Sequence, residues 1–164
     1  MKKLTLNKEY AKRHLFALIV MLALSLWFGY DGFIGYPSTS AHELYRSIEK
    51  ADPPMGMDVE AFKRQKTQTQ YGFTFLTLLA AVLIARGLHK SKCFDFAYDD
   101  ESFIIGGQRH AWSEVKNVDL GSWEKKSIAR LELDKNAIIT LDGWHHCGVK
   151  ELVANLPQLT GRPK

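Results

Sequence analysis

An apolar run between Tyr71 and Leu88 constrains this chain more than any other feature, because it carries no charge as far as Ala85. A helix built from it would have no polar face, so it is stable in hydrocarbon or in a deep core, and a chain of 164 residues has little core. Crossing a bilayer takes ~20 apolar residues, with a lower limit of ~17. The run reaches that length if Arg86 extends its guanidinium to the head groups. We therefore predict a transmembrane helix at residues 71–88.

A second apolar run, residues 15–30, follows a basic segment at residues 1–14. A basic segment before an apolar one is also the pattern of a cleavable signal peptide. This run is longer than the ~7–15 apolar residues of such peptides, and it ends in Trp27-Phe28-Gly29-Tyr30, where cleavage requires small residues. Aromatic residues at that end are typical of the head-group region around a transmembrane helix. We predict an uncleaved transmembrane helix at residues 15–30, with the signal peptide as the alternative.

The formal net charge of +4 is concentrated at one end of the chain. Residues 1–14 carry five basic side chains and one acidic side chain, whereas residues 89–164 carry eleven of each sign. By the positive-inside rule, residues 1–14 are a basic cytoplasmic tail, and two transmembrane helices return the chain to the same side. The neutral C-terminal region lacks the basic surface of a nucleic-acid-binding domain. We predict a multi-pass protein of the cell (inner) membrane, with both ends in the cytoplasm and no nucleic acid partner.

Residues 31–70 are predicted to form a helical loop on the external side. Ser40 followed by Glu43 is the capping-box spacing that begins a helix. That helix would bury one apolar stripe, formed by Ala41, Leu44, Tyr45 and Ile48. A second helix can begin at Asp58 and continue into the transmembrane helix, since no breaker precedes Gly72. The two helices either pack on each other at the membrane surface or form a docking surface for another membrane protein.

Residues 91–160 have the pattern of a small antiparallel β domain. Short alternating segments between turn residues predict strands at Phe94–Tyr98, Ser102–Ile105, His110–Ser113, Val115–Leu120, Ser127–Leu133 and Ala137–Leu141. Gly106-Gly107 and Asp134-Lys135-Asn136 are predicted turns. Gly148–Leu156 has the spacing of an amphipathic helix, which Pro157 is predicted to end. The expected fold is a small barrel or bent sheet closed by this helix.

This order of elements resembles the pleckstrin-homology-like (PH-like) domains of bacterial membrane proteins. The similarity is closest in Phe103–Leu120, F-I-I-G-G-Q-R-H-A-W-S-E-V-K-N-V-D-L, because those domains have a strand, a turn and a Trp-Ser-acidic-aliphatic step into the next strand. It continues in Ile138–Trp144 and Gly148–Val153, and covers about residues 93–158. The resemblance implies a binding or scaffolding module on a membrane anchor. Lipid-binding relatives use a basic first-loop pocket, whereas the corresponding turn here, Asp99-Asp100-Glu101, is acidic.

The segment Trp144-His145-His146-Cys147 is the cluster of metal-ligand residue types in the sequence, and His89, Cys93 and His110 could approach it in the folded chain. A structural zinc site needs four ligands at a recognisable spacing, which the sequence lacks. Adjacent histidines in a strand point to opposite faces. We therefore predict an ordinary loop, with no metal and no cofactor. The two cysteines are expected to be reduced, because the predicted topology places them in a reducing compartment.

The predicted fold class is an α+β membrane protein, with a hairpin of two transmembrane helices before a PH-like β domain. We expect a non-enzymatic interaction or accessory protein whose partners are the lipid bilayer and a membrane or cytoplasmic protein. The sequence contains no P-loop, nucleophile elbow or zinc-protease motif. Neither apolar run has a charge at its centre, as an ion path would. Two alternatives stay open: a lipid-sensing domain, and an enzyme whose site would lie in the loop of His145, His146 and Cys147.

Overall fold

The computed structural model describes residues 1–134 and 137–161. Two long helices dominate the first half of the chain. The helices are α1 (Lys8–Tyr30), α2 (Tyr36–Ser38), α3 (Ala41–Glu49), α4 (Val59–Lys92), α5 (Trp123–Lys126) and α6 (Val149–Thr160). A π-helical turn, Asp31–Gly35, joins α1 to α2, and a 3-10 turn, Trp112–Glu114, lies in the second half.

Nine short strands within the described residues form antiparallel sheets. They are β1 (Lys2–Lys3), β2 (Thr5–Leu6), β3 (Phe96–Tyr98), β4 (Ser102–Ile105), β5 (Gln108–Ala111), β6 (Val115–Asp119), β7 (Ile128–Leu133), β8 (Ile138–Asp142) and β9 (His146–Cys147). One sheet has the order β1-β3-β4-β5, a second has the order β6-β7-β8, and β2 pairs with β9. Residues 135 and 136, in the turn predicted between β7 and β8, lie outside the described residues.

The chain divides into two compact units, which are described separately. Residues 1–14 and 87–164 form the first, which contains all of the strands described above and is called the sheet unit. Residues 15–86 form the second, which is called the helical unit because its elements are helices.

The core of the sheet unit is built from one face of its strands and one face of α6. In β7, Ala129, Leu131 and Leu133 are buried and alternate with residues that are exposed or half-buried. The buried face of α6 consists of the four residues predicted to share it, Val149, Leu152, Val153 and Leu156. Phe96 and Phe103 are fully buried, with ring centroids 5.5 Å apart. The predicted apolar faces of β7 and α6 are therefore confirmed.

The sheets described for the sheet unit are not closed, so of the two forms expected from the sequence, a small barrel or a bent sheet, the barrel does not form. Among the described residues, β5 pairs with β4 and β6 pairs with β7, but β5 and β6 are not neighbours in a sheet. Between them lies the 3-10 turn, where the Trp112 ring is buried and its indole N–H donates to the Asp99 carbonyl at 2.8 Å. The 3-10 turn thus separates β5 from β6 along the chain. The strand predicted at His110–Ser113 accordingly ends at Ala111.

Residues 1–14, predicted as a basic tail, belong to the sheet unit. β1 pairs with β3, and β2 pairs with β9. Between β1 and β2, Leu4 is 2% exposed and belongs to the hydrophobic core, and its N–H donates to the Phe96 carbonyl at 2.9 Å. Two strands of two residues each have no periodicity that a sequence pattern can reveal. Residues 1–14 are therefore not only a basic tail, because they also supply two strands and one core residue to the sheet unit.

Pro157 does not end α6, contrary to the sequence prediction. The helix continues to Thr160 and is followed by Gly161, whose φ of +66° suits glycine. Proline lacks the N–H that would continue the helical hydrogen bonds. The turn beyond it is held by two other contacts, since Leu159 packs against the core and the Thr160 hydroxyl donates to the Leu156 carbonyl at 2.7 Å.

In the helical unit, α3 begins at the position that the sequence predicted, after Ser40. The Ser40 hydroxyl accepts the Glu43 N–H at 3.3 Å and donates to the Glu43 carboxylate at 2.9 Å. Ala41 and Leu44, two members of the predicted apolar stripe, are buried. The predicted N-cap and the inward-packing side of α3 are therefore confirmed, although the Glu43 carboxylate binds the Ser40 hydroxyl and not the Ser40 backbone N–H, as it would in a full capping box.

The second helix predicted for residues 31–70 also forms, and it is continuous with the second apolar run. The Asp58 carboxylate accepts the Ala61 N–H at 2.9 Å, and α4 then continues from Val59 to Lys92 without a break. The Tyr45 and Phe62 rings, 4.9 Å apart, pack α3 against the start of α4.

Two helical segments within the described residues are long and apolar enough to cross a membrane. The first, Lys8–Ser38, comprises α1, the π-helical turn and α2, and the second, Val59–Lys92, is α4. In their most apolar stretches, only 11% and 6% of the residues are buried. The core helix of a soluble domain would be mostly buried, so these helices differ from that class. Phe28 and Phe73, with ring centroids 5.2 Å apart, are one contact between them.

Candidate functional site

The segment Trp144–Cys147, called the histidine segment, is held in place by residues from both ends of the chain. The Asp142 Oδ1 accepts the Trp144 N–H at 2.8 Å and the His145 N–H at 3.2 Å. From the N-terminal side, the Asn7 N–H donates to the His145 carbonyl at 2.8 Å, and the Asn7 side-chain amide donates to the Trp144 carbonyl at 3.2 Å. The segment is therefore ordered by the sheet unit itself.

His145 lies half-buried among polar groups from two other parts of the sheet unit. Its Nδ1 is 3.4 Å from the Ser91 Oγ and 3.4 Å from the Asp142 Oδ2. Burial lowers the pKa of His145 below its usual value; the Asp142 carboxylate opposes this effect, and two neighbouring histidines add to it. The folded protein therefore favours the neutral imidazole at this position.

Because of this lowered pKa, we expect the sheet unit to lose stability as the pH falls below ~6.5, the ordinary value for histidine. The unfolded chain protonates His145 at a higher pH than the folded chain does, so the free energy of unfolding decreases towards acid. His145→Gln should reduce the change in the urea midpoint between about pH 7.5 and pH 5.5. His42→Gln, at an exposed position of the helical unit, is the control. Identical pH profiles for wild type and His145→Gln would contradict this assignment.

His146 has a different environment from its neighbour. It is 5% exposed, its Nε2–H donates to the Ser91 carbonyl at 3.0 Å, and its ring lies 4.6 Å from Phe94. Its Nδ1 is buried without a hydrogen-bond partner among the described residues. The His145 and His146 rings are 6.2 Å apart and nearly perpendicular. His146 therefore links the end of α4 to β9, while His145 contacts the polar groups described above.

The structure does not bring the other ligand-type residues into one site with the histidine segment. His110 Nδ1 lies 2.9 Å from a carboxylate oxygen of Glu114. Cys93 Sγ lies 3.6 Å from His89 Nε2, at the end of α4, and Cys93 and Cys147 are exposed free thiols. Throughout the described ranges, no group of three or more His, Cys, Asp or Glu side chains could hold a metal ion.

The contact between Cys93 and His89 is the arrangement closest to a catalytic pair in this part of the chain. A nucleophilic thiol of this kind needs a base that is itself oriented by a third group. In the part of the chain that the structure describes, the side-chain hydrogen bonds of His89 are to Cys93 alone. The pair therefore lacks the third member of a triad.

The acidic turn Asp99-Asp100-Glu101 connects β3 to β4. The Asp99 Oδ1 accepts the Ser102 N–H at 2.8 Å, the Glu101 N–H at 3.1 Å and the Ser102 hydroxyl at 3.1 Å. The hydrogen bond from the Ser102 backbone is the largest of several causes that lower the pKa of Asp99. One oxygen of this carboxylate is thus occupied by its own turn.

The glycine pair Gly106-Gly107 connects β4 to β5. Both residues have positive φ, +56° and +80°, which a two-residue hairpin of this type requires. The hairpin turn predicted from the sequence is confirmed.

A cleft of about 830 Å³ lies between α5 and α6, and we call it the α5–α6 cleft. Leu120, Val153 and Ala154 supply apolar lining. Lys125 on α5 and Lys150 on α6 add two cationic side chains to it. A cleft with an apolar lining and a few polar groups is the usual form of a binding site.

Sequence reasoning missed this cleft because it missed α5, a single turn that is too short to show a helical period. Its start is nevertheless fixed locally. The Asp119 Oδ1 accepts the Gly121 N–H at 2.8 Å, and the Trp123 N–H donates to the Leu120 carbonyl at 2.9 Å. The spacing of Asp119 and Gly121 is an aspartate-turn signal that could have indicated this bend.

The chain matches no protein-family model, no curated protein and no solved structure. Two candidate functional surfaces of the sheet unit follow from the geometry. The polar groups of the histidine segment are bound to Ser91 and Asp142, whereas the α5–α6 cleft is open and carries cationic groups.

Proposed function

We propose that this chain is a membrane-anchored, non-enzymatic interaction protein whose sheet unit binds another protein. One observation carries the proposal: the sheet unit contains residues 1–14 and 87–164, which flank the apolar helices of residues 15–86. Because both ends of the helical segment enter one folded unit, that segment crosses a bilayer an even number of times. The helices α1 and α4 supply two crossings.

The surfaces of α1 and α4 support a lipid environment. Large apolar side chains along both helices are more than 40% exposed: Leu15, Phe16, Ile19, Leu22, Leu26, Trp27, Phe73, Phe75, Leu76, Leu78, Leu79, Val82 and Leu83. Leaving such surface in water costs ~25 cal/mol for each Å², and a bilayer removes that cost. Trp27 and Tyr30, also exposed, are aromatic residues of the kind found at head-group level.

We place the sheet unit in the cytoplasm, at the inner face of a bacterial cell membrane. The net charge of +4 in residues 1–14 favours the cytoplasmic side by the positive-inside rule. Lys90 and Lys92, at the end of α4, add basic residues next to the second crossing. Under this proposal α3 and the start of α4 lie on the external side.

We also propose that the sheet unit is a PH-like domain. Its support is the order of its elements, in which the meander β3-β4-β5 is followed by the meander β6-β7-β8 and then by α6. The apolar face of α6 packs into the core, as the closing helix of such a domain does. The pairing of β1 and β2 with later strands is an addition to that order.

Reporter fusions after Lys50 and after Lys164 test the topology. We expect an alkaline phosphatase reporter to be active after Lys50 and inactive after Lys164, and a fluorescent protein to show the reverse. Deleting residues 71–88 should move the second fusion to the external side, because one crossing is lost. Finding both intact fusions on one side would contradict the hairpin.

Lipid sensing is the second candidate function, because Lys125 and Lys150 line the α5–α6 cleft. Attraction to an anionic membrane usually requires ~4–8 clustered basic residues, each contributing ~1 kcal/mol. Lys125, Lys126 and Lys150 are the basic residues at or next to the cleft. The count favours a protein partner, and anionic vesicles provide the direct comparison.

A further inference from the structure

We propose that the α5–α6 cleft binds an acidic peptide segment of the partner protein, with an apolar side chain of that segment against the apolar lining. This inference rests on the proposed function and names the surface that performs it. It draws on the ion pairs of the sheet unit, on the hydrogen-bond donors of the cleft and on its size.

In the described part of the chain, the two lysines of the cleft make no ion pair, as is also true of Lys126, whereas some basic residues of the sheet unit do. Lys3, for example, lies 2.8 Å from Asp95. Among the described residues, no carboxylate lies within ion-pair distance of Lys125 or Lys150, although Glu124 also lines the cleft. The lining therefore has an excess of one positive charge, and two ammonium groups remain free to bind an anion.

Two further polar groups of the cleft can donate hydrogen bonds, whereas the Glu124 carboxylate can only accept them. Within the described chain, no hydrogen bond is made by the indole N–H of Trp123 or by the hydroxyl of Ser127. Indole is a donor only, a lysine ammonium has three donors and no acceptor, and a hydroxyl can donate one hydrogen bond. A ligand that satisfies this set is rich in acceptors, and a carboxylate forms the strongest such bonds with ammonium groups.

A small anion would contact the cationic groups of the cleft but not its apolar lining. Leu120 and Val153 lie beside the donors, and Trp123 is half-buried at the same place. The open cleft, with a volume of about 830 Å³, is much larger than a single carboxylate, which would leave most of it empty. A peptide with an acidic residue next to an apolar one would contact both the cationic groups and the apolar lining of the cleft. Aromatic residues such as Trp123 are enriched at protein interfaces.

The test uses the full chain in phosphatidylcholine nanodiscs and an array of short synthetic peptides. Each peptide has one Leu, Phe or Trp flanked by Asp or Glu, and its matched control has Lys in place of the acidic residues. We expect members of the acidic set to bind and the Lys set not to bind. Lys125→Gln and Lys150→Gln should each weaken binding about 5–10-fold, since each removes a charge-assisted hydrogen bond. Lys126→Gln, which removes the same charge from α5 outside the lining, should weaken it less than ~2-fold.

Three results would overturn the proposal. In the first, no acidic peptide binds more tightly than its Lys control. In the second, wild type, Lys125→Gln and Lys150→Gln bind the acidic peptides equally. In the third, Lys126→Gln weakens binding as much as the two cleft variants do. Phosphatidylglycerol vesicles, added to the same nanodiscs, form the lipid arm. Vesicle binding that depends on Lys125 and Lys150, without peptide binding, would assign the cleft to lipid. The reporter fusions are read independently, so failure of the cleft and failure of the membrane anchor are distinguishable.

Discussion

Leu152→Asp should lower the free energy of unfolding of the sheet unit by at least about 4 kcal/mol. Leu152 is fully buried at the centre of the apolar face of α6. Truncating a buried leucine costs ~2–5 kcal/mol, and an unpaired carboxylate in the same place adds the cost of removing it from water. Since domains are stable by only ~5–15 kcal/mol, this loss removes a large part of the stability of the sheet unit.

Urea titration of the full chain in mild detergent, followed by tryptophan fluorescence, measures this change. The buried indole of Trp112 reports on the core. Gln158→Asp places the same charge at an exposed position of α6 and should change stability by less than ~0.5 kcal/mol. A variant at Leu152 with the wild-type midpoint would show that this face of α6 does not hold the unit together.

Leu4→Ala should lower the same free energy by about 2–5 kcal/mol, although Leu4 lies in a segment that looked like a tail. Leu4 is 2% exposed and belongs to the same core cluster as Phe96. It also packs on Gly148, where an added Cβ would meet its Cδ2 at 3.1 Å. Removing its side chain therefore leaves a cavity that its neighbours cannot easily fill.

Thr5→Ala is the matched control for Leu4→Ala, because Thr5 is exposed in the neighbouring strand. Its effect should stay within ~0.5 kcal/mol. Hydrogen exchange measured by mass spectrometry adds a second readout, since faster exchange in β3 is expected for the Leu4 variant alone. Equal stability of the two variants would mean that residues 1–7 are not part of the cooperative fold.

The elements that the sequence predicted well are those whose information is local. Gly106-Gly107 requires positive φ at both positions, and Ser40 with Glu43 forms a cap within one turn. The apolar faces of β7 and α6 are regular enough to identify buried residues without knowledge of their neighbours. Here propensity and periodicity agree with the final packing.

The elements that the sequence did not indicate depend on residues far apart in the chain. Lys2 pairs with Glu151 across 149 positions, and no pattern within residues 1–14 specifies that partner. Likewise, among the described residues β5 and β6 are not neighbours in a sheet, and the Trp112 indole between them binds the Asp99 carbonyl, a contact that no local pattern specifies. Pro157 is tolerated because Leu159 finds a place in the core.

Of the two candidate surfaces, the sequence indicated the residues of one and gave no indication of the other. The residue types of the histidine segment were noticeable in the sequence, but the groups that hold it, Asn7 and Ser91, come from distant parts of the chain. The α5–α6 cleft combines Lys125 with Lys150, which are separated in the chain by the strands β7, β8 and β9. Lone lysines of this kind have no distinguishing pattern until the fold places them together.

The pairing of β1 with β3 and of β2 with β9 also determines when the protein can finish folding. Asn7 and Trp144, which are joined by a hydrogen bond, are 137 positions apart. At a synthesis rate of ~5–20 residues per second, the N-terminal strands wait roughly 7–30 s for their partners to be made. The apolar helices between them leave the ribosome during that interval. The apolar helices are therefore complete before the sheet unit can be, and under the proposed function they enter the membrane first.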